Sequence, residues 1–85
     1  MKLLEIYTTP FCGFCTRAKI LLNNKNINFT EINIGGDRDR RKVMKDRSNG
    51  SNTVPQIFIN GDHIGGCEDL YFLEQRGLLE KLFEN

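Results

Sequence analysis

The chain opens on an apolar run, Leu3-Leu4-Glu5-Ile6-Tyr7, short enough for a strand and apolar enough to be buried on both faces. Thr8-Thr9-Pro10 ends it. From Cys12 to about Asn24 the period becomes helical: Cys15, Ala18, Leu21 and Leu22 share one face, with Arg17 and Lys19 off it. Asn23-Asn24 closes that helix. Over Ile27–Ile34 apolar and polar residues alternate again, which predicts a second strand and a right-handed βαβ unit. Gly35-Gly36 breaks the strand, and Asp37 is a suitable N-cap for a helix over Arg38–Arg47. After the polar loop Ser48–Asn52, Val54–Ile59 predicts a third strand. Asn60-Gly61 is a strong hairpin signal, and His63-Ile64 forms a brief fourth strand. Gly65-Gly66 leads into a helix over Cys67–Arg76, stopped by Gly77, with Leu78–Phe83 as a last turn or two. The predicted order is β-α-β-α-β-β-α, an α/β fold with a four-stranded mixed sheet flanked by three or four helices. Tyr7, Phe11, Phe29, Phe58, Leu70, Leu73, Leu79 and Leu82 are the expected core aromatics and leucines.

Composition narrows the function classes. The 85 residues fit one domain, 1–85, that buries about 60–65% of its unfolded surface. Hydrophobic residues at 39% and charged residues at 27% predict a folded soluble chain, and no apolar run approaches the length of a membrane span. Glu5 and Thr8–Pro10 interrupt any apolar leader. A net charge of +1 gives no global attraction to nucleic acid or an anionic membrane. Three cysteines, an odd number, do not suit a secreted disulfide scaffold, so the expected address is cytoplasmic. There, paired thiols stay reduced unless they cycle.

Cys12-Gly13-Phe14-Cys15 lies where a strand ends and a helix begins. The first cysteine falls at the helix N-terminus, where free N–H groups and the macrodipole favour a thiolate below the usual value of about 8.5. The second lies one turn on, facing inward. The first is the expected nucleophile and the second the resolving thiol. Zinc on Cys12, Cys15, His63 and Cys67 is the competing chemistry, but the spacing of His63 and Cys67 straddles Gly65-Gly66 and is not that of a knuckle. Cys67 also begins a helix, which would lower its thiol as well, but its expected role is that of a small packing residue.

Three separated motifs now carry a family resemblance: Cys12-Gly13-Phe14-Cys15, Thr53-Val54-Pro55 and Gly65-Gly66-Cys67-Glu68-Asp69-Leu70. Together they make nearly the whole chain resemble the glutaredoxins, the glutathione-dependent branch of the thioredoxin fold, and most closely the small bacterial dithiol type. The resemblance implies reduction of protein–glutathione mixed disulfides and protein disulfides by a monomer that needs no metal. Glutathione is then co-substrate, and glutathionylated or disulfide-containing proteins are the partners. It also implies a cis Pro55 facing the redox motif, with the backbone of Val54 turned outward to pair with the extended tripeptide. Taken alone, Pro55 would merely open a strand. Gly65-Gly66 permits close approach, and the helix after Gly66 offers N–H groups to the γ-glutamyl carboxylate. Glu68 or Asp69 holds the ammonium, with family position favouring Glu68; as ordinary helix residues they would only complement the dipole. Thr53, Val54, Pro55, Gly66, Cys67, Glu68 and Phe14, as an exposed wall, complete the expected glutathione groove.

Two departures from the family pattern matter. Thr9 stands where many members have lysine, so another cation must hold the glycyl carboxylate of glutathione. Arg38–Arg47 has six basic residues against two acidic ones, net +4, and Arg41 is the nominated cation. The bland alternative for this segment is a solvated helix face; without interleaved aromatics it does not suit nucleic acid. Gly13 replaces the usual proline of dithiol members, and a Gly-Phe pair is similar to the cluster-carrying single-cysteine type. That raises an alternative: a [2Fe–2S] carrier in which two chains and two glutathiones share a cluster through Cys12.

Overall fold

The computed structural model describes residues 2–83. Strand β1 (Leu4–Thr8) lies inside the sheet because it is apolar on both faces. Leu4 and Ile6 enter one buried cluster and Tyr7 another. Strand β2 (Thr30–Asn33) runs parallel to β1, with Tyr7 opposite Ile32. On the other side β3 (Gln56–Ile59) is antiparallel, with Ile6 opposite Ile57, and β4 (Asp62–Gly65) is antiparallel to β3. The order β2-β1-β3-β4 is the mixed four-stranded sheet of a thioredoxin-like fold. Asn60 and Gly61 both have positive φ (51° and 85°), as a type I′ hairpin turn requires.

Four helices flank the sheet: α1 (Gly13–Asn24), α2 (Arg38–Arg47), α3 (Cys67–Gln75) and the short α4 (Leu78–Leu82). The larger core joins Leu4, Ile6 and Ile57 to Ala18 and Leu22 of α1, Leu70 of α3 and Leu79 of α4. Phe29, Leu73 and Leu82 pack against it only partly buried. The smaller core, Tyr7, Ile34, Met44 and Phe58, lies under α2, of which Met44 is the sole buried residue. Asp37 caps α2 as its sequence predicts, accepting the Arg40 N–H at 3.0 Å. At the far end of α2, Arg47 donates to Glu5 at 2.8 Å and to the Tyr7 hydroxyl at 2.9 Å.

Strand β2 begins at Thr30 rather than at Ile27. The residues before it close α1 instead. Asn26 takes a left-handed conformation (φ 58°), the Ile27 N–H bonds to the Leu22 carbonyl at 2.9 Å, and the Ile27 side chain is buried in the larger core. Alternation alone does not distinguish a pairing strand from an extended plug of that kind. Among the described residues, no helix is long and apolar enough to cross a membrane.

Candidate active site

Cys12 is the N-cap of α1, with extended backbone (φ −98°, ψ 109°). Its Sγ accepts the Cys15 N–H at 3.1 Å, and its carbonyl accepts the N–H and hydroxyl of Thr16, both at 3.1 Å. A cap side chain folds back over the first turn, so this sulfur meets the exposed N–H groups of the helix end. Cys15 shares the helix face of Ala18 and Leu22 and is 1% exposed, whereas Cys12 is half-buried. The two are joined as a disulfide across a Cα separation of 5.2 Å, within the ordinary span of such bridges. One sulfur is therefore open to attack and the other is shielded. The β2–α2 connection packs directly on the loop before the motif: a Cβ at Gly35 would lie 2.6 Å from Pro10 Cδ.

An open groove of about 500 Å³ runs beside this helix end. Phe14 forms one wall, Thr53-Val54-Pro55 the second, and residues 65–69 at the start of α3 the third. The Val54–Pro55 bond is cis, in keeping with the family resemblance. The Val54 carbonyl lies 3.9 Å from Cys12 Sγ, a contact only, because a disulfide sulfur carries no proton to donate. Gly65 has φ +127°, and the space a Cβ would need there is taken by the Asp69 carboxylate. That carboxylate accepts the Gly66 N–H at 2.8 Å and so caps α3. Of the two acids offered by the sequence, Asp69 is thus engaged in the helix, and Glu68 is exposed at the groove with no hydrogen bond to the described residues.

Phe14, Thr53, Val54, Pro55, Gly66, Cys67 and Glu68 all line the groove. Arg41 does not. It is half-buried on α2 and donates to the Asn52 carbonyl at 2.9 Å and to Asn52 Oδ1 at 3.2 Å, which places it beside the Thr53 wall. Two expectations are corrected. Phe11 is fully exposed rather than in the core, because its left-handed backbone (φ 59°) directs the side chain out of the loop. Cys67 is not lowered by its helix start: burial pushes its thiol up, against the nearby Arg17 cation and with help from Glu68. Among the described residues, no three His, Cys, Asp or Glu side chains gather as metal ligands. His63 Nε2 is instead 2.6 Å from Gln56 Oε1.

Gln56 and His63 also line the groove; the sequence pattern does not single out Gln56, and it offers His63 only as a zinc ligand. The available signal was a polar residue directly after Pro55 at the head of an apolar strand. Gln56 is 4% exposed, and its Nε2 donates to the Thr53 carbonyl at 3.0 Å. Beside the redox motif, the guanidinium of Arg17 lies 6.0 Å from the Phe14 ring and 5.3 Å from that of Tyr71.

Comparison with known proteins agrees with this geometry. A glutaredoxin family model matches residues 4–64. Glutaredoxin 3 of Escherichia coli strain K12 is 50% identical over 84 residues, covering 99% of this chain and all of that one. The solution structure of a glutaredoxin from Brucella melitensis superimposes with a TM-score of 0.82 at 48% identity, covering 94% of this chain and 86% of that one. A buckwheat glutaredoxin–glutathione complex gives a TM-score of 0.84 at 28% identity, covering 95% of this chain and 76% of that one. The chain belongs to the glutaredoxin family of thiol–disulfide oxidoreductases, with Cys12 and Cys15 as its dithiol pair.

Proposed function

We propose that this chain uses glutathione to reduce protein–glutathione mixed disulfides, and protein disulfides by a two-cysteine route, as a cytoplasmic monomer built from one domain, 1–85. The observation that carries the reading is the half-buried Cys12 at the cap of α1, beside a groove walled by the segment ending in the cis Val54–Pro55 bond and by a helix N-terminus at Gly66. The buckwheat relative was solved with glutathione, which supports the same ligand here. Reduced Cys12, as thiolate, attacks the glutathionyl sulfur of the mixed disulfide. The old S–S bond breaks, the substrate leaves as a thiolate that takes up a proton, and the glutathionyl group stays on Cys12. A second glutathione thiolate attacks that adduct, oxidised glutathione departs, and Cys12 is again a thiolate. With a protein disulfide, Cys15 attacks the Cys12 adduct and closes the internal bridge, which two glutathiones reopen.

Val54 pairs with the tripeptide backbone, the N–H groups at the start of α3 receive the γ-glutamyl carboxylate, and Glu68 receives its ammonium. Phe14, Thr53, Pro55 and Cys67 shape the walls. Arg41 uses one nitrogen on Asn52, which leaves further guanidinium donors for the glycyl carboxylate. The test is glutathione-dependent reduction of a small glutathionyl disulfide. Activity supports the reading, and an inactive reduced protein refutes it. Arg41→Glu should raise KM for glutathione by about threefold to tenfold with little change in kcat; an unchanged KM leaves Arg41 with its Asn52 contacts alone. For the [2Fe–2S] alternative one chain offers Cys12 alone, so a cluster needs a second chain and two glutathione thiols. A preparation that stays colourless after anaerobic reconstitution with iron and sulfide counts against it.

A further inference from the structure

Gln56 is a buried amide in an otherwise apolar strand, and its surroundings dictate which way it faces. One end of the amide is 3.0 Å from the Thr53 carbonyl and 3.2 Å from the Thr53 hydroxyl; the other is 2.6 Å from His63 Nε2. A carbonyl oxygen can only accept, so the amide nitrogen must face Thr53 and the amide oxygen must face His63. That oxygen also only accepts. His63 therefore carries a proton on Nε2. The imidazole is itself supported by Phe58, a fully buried ring 5.1 Å away.

The consequence falls on the next peptide. The Thr53–Val54 bond is trans, so its C=O and N–H point in opposite directions. Drawing the Thr53 carbonyl toward Gln56 aims the Val54 N–H away from it, and among the described residues nothing accepts from that N–H. On the preceding peptide, the Asn52 carbonyl is held by Arg41. Both carbonyls leading into the groove wall are thus tied down by side chains. We infer that Gln56 and His63 act in series as positioning residues: His63 fixes the Gln56 amide, and Gln56 fixes the plane of the Thr53–Val54 peptide so that its N–H meets the backbone of the bound tripeptide. This rests on the reading that Val54 pairs with glutathione.

The experiment compares wild type with Gln56→Met, which keeps the volume but removes both amide ends, with His63→Leu, and with the double variant. KM for a small glutathionyl disulfide should rise about tenfold in Gln56→Met, with kcat within about twofold. The backbone amide resonance of Val54 should shift at the same time. His63→Leu should raise KM by about threefold, and in the Gln56→Met background it should add nothing, because its effect passes through Gln56. An unchanged KM in Gln56→Met, or full additivity in the double variant, overturns the relay while leaving the activity intact. Loss of the wild-type activity itself refutes the functional reading instead. Should Gln56→Met fail to fold, the wild type still decides. At pH 8, where an ordinary imidazole is neutral, the nitrogen spectrum must place the His63 proton on Nε2; a proton on Nδ1 overturns the proposal.

Discussion

Two thiols in this molecule sit at two helix starts beside glycine, and they face opposite surroundings. Cys12 precedes α1 as its cap; Cys67 is the first residue of α3. A shift of one position separates them, and it decides the chemistry. At the cap, the side chain curls over the helix end, takes the Cys15 N–H at 3.1 Å and keeps contact with water. At α3 the cap is Gly66, whose own N–H is taken by Asp69, and the next side chain turns inward among Leu70 and Leu79. Burial then outweighs whatever the helix end supplies, and the Cys67 thiol is pushed up. The end of α1 thus meets a hydrated cap sulfur, and the end of α3 meets none.

The harshest way to break this comparison is to exchange sulfur for oxygen at the motif. Cys12→Ser should lower turnover of a small glutathionyl disulfide by at least about 10³-fold, since a serine hydroxyl is neither ionised nor nucleophilic toward sulfur at neutral pH. On the proposed cycle the second glutathione arrives from solution, so Cys15→Ser should keep most of that turnover and should lose reduction of protein disulfides. Steady-state assays on the two substrate types measure both. Equal inactivity of the two variants toward the small substrate would replace the glutathione-coupled cycle with a purely dithiol one.

Much of this asymmetry is legible in the chain itself. The helical period that runs Cys15, Ala18, Leu21 and Leu22 together already turns residue 15 inward, and all four are buried. The Asp37 cap, the Asn60-Gly61 turn and the Gly77 stop follow from local chemistry and hold in the structure. What the pattern misses depends on contacts distant in sequence. The inward turn of Cys67 depends on where α3 lands on β3 and α1. The exposure of Phe11 follows from a left-handed backbone that no apolar period encodes. Alternation places Ile27 in the strand, yet it plugs the end of α1. Gln56 shows the same limit from the other side. A buried amide has meaning only through its partners, here Thr53 and His63, and the latter reaches it across the β3–β4 hairpin.

A gentler probe keeps both sulfurs and varies pH. In the reduced protein, a thiolate stabilised by the end of α1 should make alkylation of Cys12 already near its plateau at neutral pH. The rate should fall only as acid protonates the thiolate. Cys67, raised by burial, remains a thiol over the same range, and its rate should still be climbing in alkaline solution. At pH 7 the two rates should differ by roughly 100-fold or more, combining ionisation with access. Mass spectrometry of timed quenches separates the sites. A Cys12 rate that keeps climbing through pH 8 would remove the cap argument and leave exposure as the only difference between the thiols.

The smallest effect sharpens the comparison from the side of Cys67. As a packing residue in the larger core, 5% exposed, it contributes sulfur contacts rather than charge. Cys67→Ser places a hydroxyl where the sulfur meets Leu70 and its neighbours, and a buried hydroxyl without a partner costs about 1–3 kcal/mol. Cys67→Ala removes the sulfur without adding a polar group, and should cost about 1 kcal/mol or less if the site contracts. Denaturant unfolding should therefore order the proteins wild type, Cys67→Ala, Cys67→Ser. Because the residue also touches the groove wall, KM for the glutathionyl substrate should rise by about twofold while kcat is preserved. A loss of kcat in both Cys67 variants, comparable to that of Cys12→Ser, would mean that the second helix start takes part in the chemistry after all. The distinction between cap and first-turn positions would then fail.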